Sequence, residues 1–386
     1  MGYRRQPSWL PSLGCSRARN STSSVPGAWS HPPHPPPRPW GLTPGLAGLA
    51  LYVLLGFFPP SASGAALDSV APPLLLPTPN TTLLEPDPGE RYFVGTAGNP
   101  WTHGGYGCTR TGGWQFHEGI DIRPLQRDAR GEAADPIFAT ADGRVAYVNS
   151  RAALSAYGIY IVIQHRISGI ELYSLYAHLA EVQPDLAPGH AVSAGDVIGK
   201  MGRTANTREV ISRDRAHLHF ELALLVNPRY PEWLASSVPG ARNDHGVWNG
   251  QNLIGLDPRI LLLSSYRYPH NFDLVRYLQV QRQLCRVAVR VRDFDFLRRY
   301  PMLVQQRPEI PHSEIAGYEI HLDYAGIPVR IYPRTETELP SLQRYTLIDV
   351  DEQEYQQNPC RRIVTRQGNR FSLGRAGIQF LDLLTY

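Results

Sequence analysis

The chain has 386 residues, 42% hydrophobic and 19% charged, with 34 Gly and 35 Pro: a turn-rich globular composition with room for two ordinary domains. The formal net charge of +4 is local, because residues 1–66 carry Arg4, Arg5, Arg17, Arg19 and Arg38 and no acid, which leaves −1 for the remainder. A near-neutral body has no electrostatic footprint for nucleic acid or an anionic membrane surface, so polyanion binding is excluded as an expected function.

Residues 1–66 read as a leader. A basic, Pro- and Ser-rich stretch runs into the apolar "GLAGLALYVLLGFF" and then the small residues of "PPSASGAA". The apolar run falls short of the ~20 residues of a spanning helix, and small residues after it suit cleavage near Gly64, Ala65 or Ala66. The expectation is an exported protein of the periplasm or cell envelope, or a secreted one, touching a membrane only if the long leader stays uncleaved as an anchor. No Cys follows the run closely, so no lipid anchor is expected.

Residues 67–90 are Pro-rich and aperiodic, and read as a linker or an extended arm. Beyond Arg91 short apolar runs are cut by Gly and Asp. "PIFATADGRVAYVNS" reads as a hairpin, "GIYIVIQH" and "GIELYSLYAHL" as strands, "AGDVIGKMG" as a short strand, and "AHLHFELAL" alternates strictly. Together they predict an antiparallel β domain over 91–265. Residues 266–386 mix helical and strand patterns and are expected to form a smaller β-rich C-terminal domain, so the fold class is mainly β. Outside the leader the cysteines are Cys108, Cys285 and Cys360, allowing at most one intrachain disulfide; Cys285–Cys360 is the expected pair, with three free thiols as the alternative.

Chemistry-bearing residues gather in three places. In "AHLHFEL", alternate side chains share a strand face, so His217, His219 and Glu221 point one way and Leu218, Phe220 and Leu222 the other, with the histidine Cα atoms roughly 6.5–7 Å apart. In "WQFHEGIDIRP", His117 and Asp121 would lie ~13 Å apart on a straight strand, but Gly119 permits a bend that shortens the gap. In "LYAHL", His178 ends an alternating segment that also sets Tyr176 on its face. Alone, each has an ordinary explanation: solvated imidazoles, an ion pair beside a turn, a structural histidine. In combination they supply three ligands and an open position, which is what a catalytic zinc requires. "HEGID" is not H-E-x-x-H, so Glu118 is given no general-base role, and "GDVIGKM" is too short for a phosphate loop.

Taken together, His117-x-x-x-Asp121, "YAHL" around His178 and His217-x-His219 in "HLHFEL", with "FATADGRV", "IVIQH" and "VSAGDVIGKMGRT" between them in order, resemble the lysostaphin-type (LytM-like) zinc peptidases, which hydrolyse peptide cross-links of bacterial cell walls. The resemblance covers roughly 91–265. It implies a β-rich catalytic fold with a long groove, zinc held by His117, Asp121 and His219, and His178 with His217 as the catalytic or transition-state-stabilising pair. The implied partner is peptidoglycan peptide. Longer links at 123–135, before His217 and at 227–255 depart from the family pattern and are expected to shape the groove walls. Two other readings stay open: a non-catalytic wall-binding or amidase-activating domain, and a zinc protease of other exported proteins.

Overall fold

The computed structural model describes residues 72–206 and 210–386. The leader, 1–66, lies outside these residues, as does the start of the 67–90 stretch. Among the described residues no helix is long and apolar enough to cross a membrane.

The architecture is mainly antiparallel β, as the alternation predicts. Strands β1 (Gly107–Arg110) and β2 (Gln115–His117) form a small hairpin, and β3 (Ile120–Ile122) follows directly. The largest sheet contains β5 (Gly143–Asn149), β6 (Ile159–Ile167), β7 (Ile170–Leu179), β9 (Ala191–Val192), β11 (Leu218–Leu225) and β12 (Leu253–Leu256), in the order β12-β11-β7-β6-β5-β9, with β3 also paired to β11. A smaller sheet joins β4 (Pro136–Phe138), β10 (Val197–Lys200) and β8 (Glu181–Val182). Further along, β13 (Cys285–Val289), β14 (Ile315–Leu322), β15 (Pro328–Thr335) and β16 (Tyr345–Val350) make a four-stranded sheet in the order β15-β14-β13-β16, followed by the hairpin β17 (Val364–Gln367) and β18 (Arg370–Leu373).

The centre of the main sheet is covered on both sides, which explains why "GIYIVIQH" is almost continuously apolar. Ile161, Ile163, Leu172, Tyr176, Phe220 and Leu222 face one buried cluster, while Tyr160, Val162, Tyr173, Leu175, Ala223 and Leu225 face a second. On β11 the odd-numbered face therefore runs from Leu225 and Ala223 to Glu221, His219 and His217. One end of a buried strand face is apolar and the other polar.

The larger cluster extends from Leu74 to Leu384 and includes residues of both sheets. Of the two readings for 67–90, the described part behaves as an arm: Leu74, Leu76 and Leu83 are buried, and Leu74 N–H bonds the Ser265 hydroxyl at 2.8 Å. The C-terminal stretches that mixed two patterns contain both, with a helix at Leu274–Gln279 before β13 and a helix at Arg375–Leu384 after β18.

The disulfide differs from expectation. Cys108 pairs with Cys360, and Cys285 is a buried free thiol. Nearness in sequence misled: Cys285 begins a strand bonded on both sides, to Leu322 of β14 and Val350 of β16, and is fully buried in that sheet's core. Cys360 lies instead beside β1 and β2, where the Arg361 guanidinium sits 4.8 Å from the Phe116 ring centre and Tyr324 meets the same ring edge-on.

Candidate metal centre

His117 ends β2 and Asp121 is central in β3, with the chain turning at Glu118–Gly119 between them. The bend depends on a glycine: a Cβ at Gly119 would lie 2.2 Å from the Phe220 carbonyl oxygen of β11. Because β3 continues against β11, Asp121 is directly opposite His219. The ~13 Å of a straight strand is thereby replaced by contact, with His117 Nε2 3.2 Å from Asp121 Oδ1. One side-chain donor atom from each of His117, Asp121 and His219 lies within 4.8 Å of the other two, and all three residues are buried.

Each imidazole is oriented by its other nitrogen. His117 Nδ1–H donates to the Gly105 carbonyl at 2.7 Å, leaving Nε2 for the cluster. His219 Nε2–H donates to Glu221 Oε1 at 2.8 Å, leaving Nδ1 there. Tyr157 donates its hydroxyl to the same Glu221 oxygen at 2.7 Å and lays its ring against that of His219, 5.4 Å between centres. Outer partners of this kind fix tautomer and ring angle in metal sites. Gly250, from the 227–255 segment, packs closely on Tyr157, so that segment buttresses the His219 side.

His178 and His217 complete the group. Their rings are 4.9 Å apart, His178 is 6.0 Å from the His219 ring, and His217 Nε2 is 3.6 Å from Asp121 Oδ1. Their Nδ1–H groups donate to backbone carbonyls, His178 to Thr204 at 2.8 Å and His217 to Arg215 at 2.7 Å, so both Nε2 atoms are free to act. Simple alternation would place His178 on the face of Tyr176. The structure separates them: His178 has φ +61°, a left-handed conformation costly for a side chain-bearing residue, and this turns its ring towards His217. Tyr176 is fully buried against Phe220, its hydroxyl accepting Thr140 N–H at 2.9 Å, and its role is packing.

The electrostatics divide the cluster. Burial pushes His178 well below the usual imidazole range, helped by His217 and His219, and lowers His217 as well. Burial and then Arg110 lower His117 to about 4. Burial acts the same way on His219, but hydrogen bonds to Asp121 and Glu221 outweigh it and raise it to about 9. Burial would raise Asp121, yet His117, His217 and Arg110 hold it well below the usual carboxylate range. The arrangement is an ionised carboxylate, two neutral imidazoles open at Nε2, a third facing it, and His219 carrying a proton between two carboxylates.

A residue without a sequence signal joins them. Arg110, on β1, places Nη2 2.6 Å from Asp121 Oδ2 and 2.9 Å from His117 Nε2. A guanidinium thus lies against Asp121 and His117 beside the cluster. The donor set, two imidazole nitrogens and a carboxylate with oriented outer partners, fits a zinc ion with an open position.

A family description, Peptidase family M23, matches residues 115–230. The chain is 35% identical over 99 residues to lipoprotein NlpD of Yersinia enterocolitica, an alignment spanning 25% of this chain and 84% of that protein. Among solved structures, the catalytic domain of the prophage-encoded M23 protein EnpA from Enterococcus faecalis is 26% identical over 31% of this chain and 75% of its own, with a TM-score of 0.23. The catalytic domain of lysostaphin from Staphylococcus simulans is 19% identical over 45% of this chain and 93% of its own, with a TM-score of 0.27. The last two likenesses are too small to bear on chemistry, but the relative and the family match suffice: the chain belongs to peptidase family M23, the lysostaphin/LytM-type peptidases.

Proposed function

We propose that this chain is an exported zinc metallo-endopeptidase that hydrolyses peptide stems or cross-links of bacterial peptidoglycan, with its catalytic region in 91–265 and an accessory region in 266–386. The observation that carries the reading is the meeting of His117, Asp121 and His219 donor atoms within 4.8 Å, from three separate strand positions. In this reading those three residues hold zinc, and His178 and His217 are catalytic.

A zinc ion held by His117, Asp121 and His219 would polarise the scissile carbonyl and lower the pKa of a water towards ~7. The chain's own residues do the rest. Asp121 supplies the negative charge that favours a cation. Glu221 and Tyr157 hold the His219 ring so that Nδ1 faces the ion. His178 and His217, neutral near pH 7 because they are buried, each present Nε2 with the opposite nitrogen fixed on a carbonyl. One takes the water's proton and returns it to the leaving amine, and the other donates to the oxygen on which charge develops. The cluster's two carboxylates are both engaged, Asp121 with Arg110 and the histidines and Glu221 with His219 and Tyr157, so neither stands open as the acid or nucleophile of glycoside hydrolysis.

The test is metal analysis of the purified chain together with digestion of purified peptidoglycan. About one zinc per chain, new amino groups without new reducing ends, and loss of both metal and hydrolysis with a chelator are the expected results. Full hydrolysis by metal-free protein, or release of reducing ends alone, would overturn the reading.

A further inference from the structure

Two arginines flank the metal centre without belonging to the donor set. Arg110 donates Nε–H to the His103 carbonyl at 3.2 Å. Arg215, in the turn before β11, donates Nε–H to the Gly95 carbonyl at 3.1 Å. Both are therefore suspended by Nε from one segment, 95–103, with Arg110 Nη1 and the terminal nitrogens of Arg215 left over. That segment lies along the ligand strand, since Val94 N–H bonds the Asp121 carbonyl at 3.0 Å. Arg215 is also tied to the catalytic side, because its carbonyl accepts His217 Nδ1–H at 2.7 Å.

Some half-buried arginines elsewhere have carboxylates, whereas others, Arg330 and Arg361 among them, bond backbone carbonyls. Arg203 forks onto Glu132, at 2.8 and 3.0 Å, and Arg334 reaches Glu319 at 2.6 Å. Arg215, half-buried, forms no ion pair among the described residues. Arg110, 16% exposed, pairs among the described residues only with Asp121, through Oδ2 and its Nη2 alone. With a divalent cation in place the site holds the ion's two positive charges and two guanidiniums against two carboxylates, Asp121 and Glu221. Like charges crowded in a partly buried site repel strongly unless an anion joins them. A guanidinium with free terminal nitrogens binds a carboxylate bidentately. Because Arg110 touches Asp121 and His117 themselves, an anion it holds lies beside the proposed ligands.

We propose that Arg110 and Arg215 form a carboxylate-reading pair, which selects peptides bearing a free carboxylate on a residue flanking the scissile bond. The proposal rests on the metallopeptidase reading and names the substrate class of that site. Metal binding takes His117 Nε2 from Arg110 but leaves it on Asp121 Oδ2, and its Nη1, which bonds nothing among the described residues, is open to the substrate. The carboxylate can be a peptide's C-terminal group or a side chain, two sources with one chemistry.

The test uses one peptide sequence in four forms: C-terminal carboxylate, side-chain carboxylate, both, and neither, each missing group replaced by carboxamide. The zinc-loaded chain should cut at least one carboxylate form with a KM ten or more times lower than the fully amidated form, and which form it is identifies the source. Arg110→Gln and Arg215→Gln should each shrink that advantage, and the double variant should bring it close to one; a purely structural role would affect all four peptides alike. The same peptides with a hydroxyethylene group in place of the scissile amide, titrated calorimetrically, read the preference independently of turnover. Arginine-dependent binding of the carboxylate forms without cleavage of any peptide supports the pair and defeats only the peptidase reading. Equal binding of carboxylate and carboxamide forms by the unaltered chain, or an advantage that survives the double variant, overturns the pair. Should the Gln variants fail to fold, Arg→Lys variants keep the charge but lose the fork, and an undiminished carboxylate advantage in them also overturns it.

Discussion

On β14 the buried Glu319 carboxylate receives Arg334 at 2.6 Å, His321 at 3.0 Å and Arg286 at 3.2 Å. On β3 the equally buried Asp121 receives Arg110 at 2.6 Å and His219 at 3.0 Å. The inventories are alike, yet the sites differ in kind. Around Glu319 two guanidiniums from flanking strands neutralise the charge, and guanidinium never becomes a lone-pair donor. Around Asp121 most neighbours are imidazoles, which become ligands by losing a proton, and their lone pairs point to one place. The first site is complete as it stands, whereas the second can exchange its protons and guanidinium for a metal ion. What distinguishes a binding site from a structural network here is the convergence of exchangeable groups, not the presence of buried charge.

The sharpest way to break this comparison is to remove one histidine from each sheet. His219→Ala should lose zinc and hydrolysis together, while His321→Ala should keep both, read as metal content and rate on peptidoglycan. Zinc retained by His219→Ala at the level of the unaltered chain would dissolve the distinction. Next, His217→Ala should keep its zinc and lose turnover by ~10²–10⁴-fold, the range for a general acid or base. A parallel fall in melting temperature and rate, with no separate loss in chemistry, would make that histidine a packing residue.

A third experiment concerns the C-terminal sheet alone. Burial raises Asp323 from 3.8 to about 7, against the backbone hydrogen bonds it accepts. A raised carboxyl pKa means that the folded state prefers the protonated form. Its stabilising contribution is full below about pH 4 and is lost as pH rises through about 7, with a span on the order of 4 kcal/mol. Asp323→Asn should flatten that part of the stability-against-pH curve, measured by denaturant unfolding, without altering zinc content. An unchanged slope would show that Asp323 ionises freely. Replacing Cys108 and Cys360 by Ser should lower stability by about 2–5 kcal/mol, seen as a shift in the unfolding midpoint. Smallest of all, Glu221→Gln should weaken zinc binding by ~10–100-fold, the usual effect of an outer partner, whereas Glu319→Gln should leave it unchanged in a chelator competition.

The donor residues were legible because their chemistry is written locally. H-x-H on an alternating strand sets two rings on one face, and Gly119 marks the bend between His117 and Asp121. The alternation of Ile161–Ile163 and Tyr160–Val162 was equally legible, as a strand covered on both sides. What escaped depends on contacts distant in sequence. Arg110 sits in "GCTRTGG", where no periodicity marks it, and meets Asp121 only because the hairpin folds over β3. The Cys108–Cys360 pair spans 252 residues, and spacing offered Cys285 instead, although that residue is enclosed by two partner strands. His178 was placed on the face of Tyr176 because alternation assumes extended backbone, and a single left-handed residue reverses the face. Tyr157 gave no sign of its place behind His219, since that contact needs the loop before β6 to reach β11.

The staple between Cys108 and Cys360 also imposes a chronology. Cys108 lies two positions from Arg110, on the hairpin that walls the metal centre, and its partner emerges from the ribosome only after 252 further residues have been joined. Until then, and until an oxidant is available, β1 is held without a covalent tie, by its pairing with β2 and by the Arg110 contacts to Asp121, His117 and His103. A chain made this way passes through synthesis with the hairpin beside the histidine cluster untied, and the tie forms only once both ends of the fold have met under oxidising conditions.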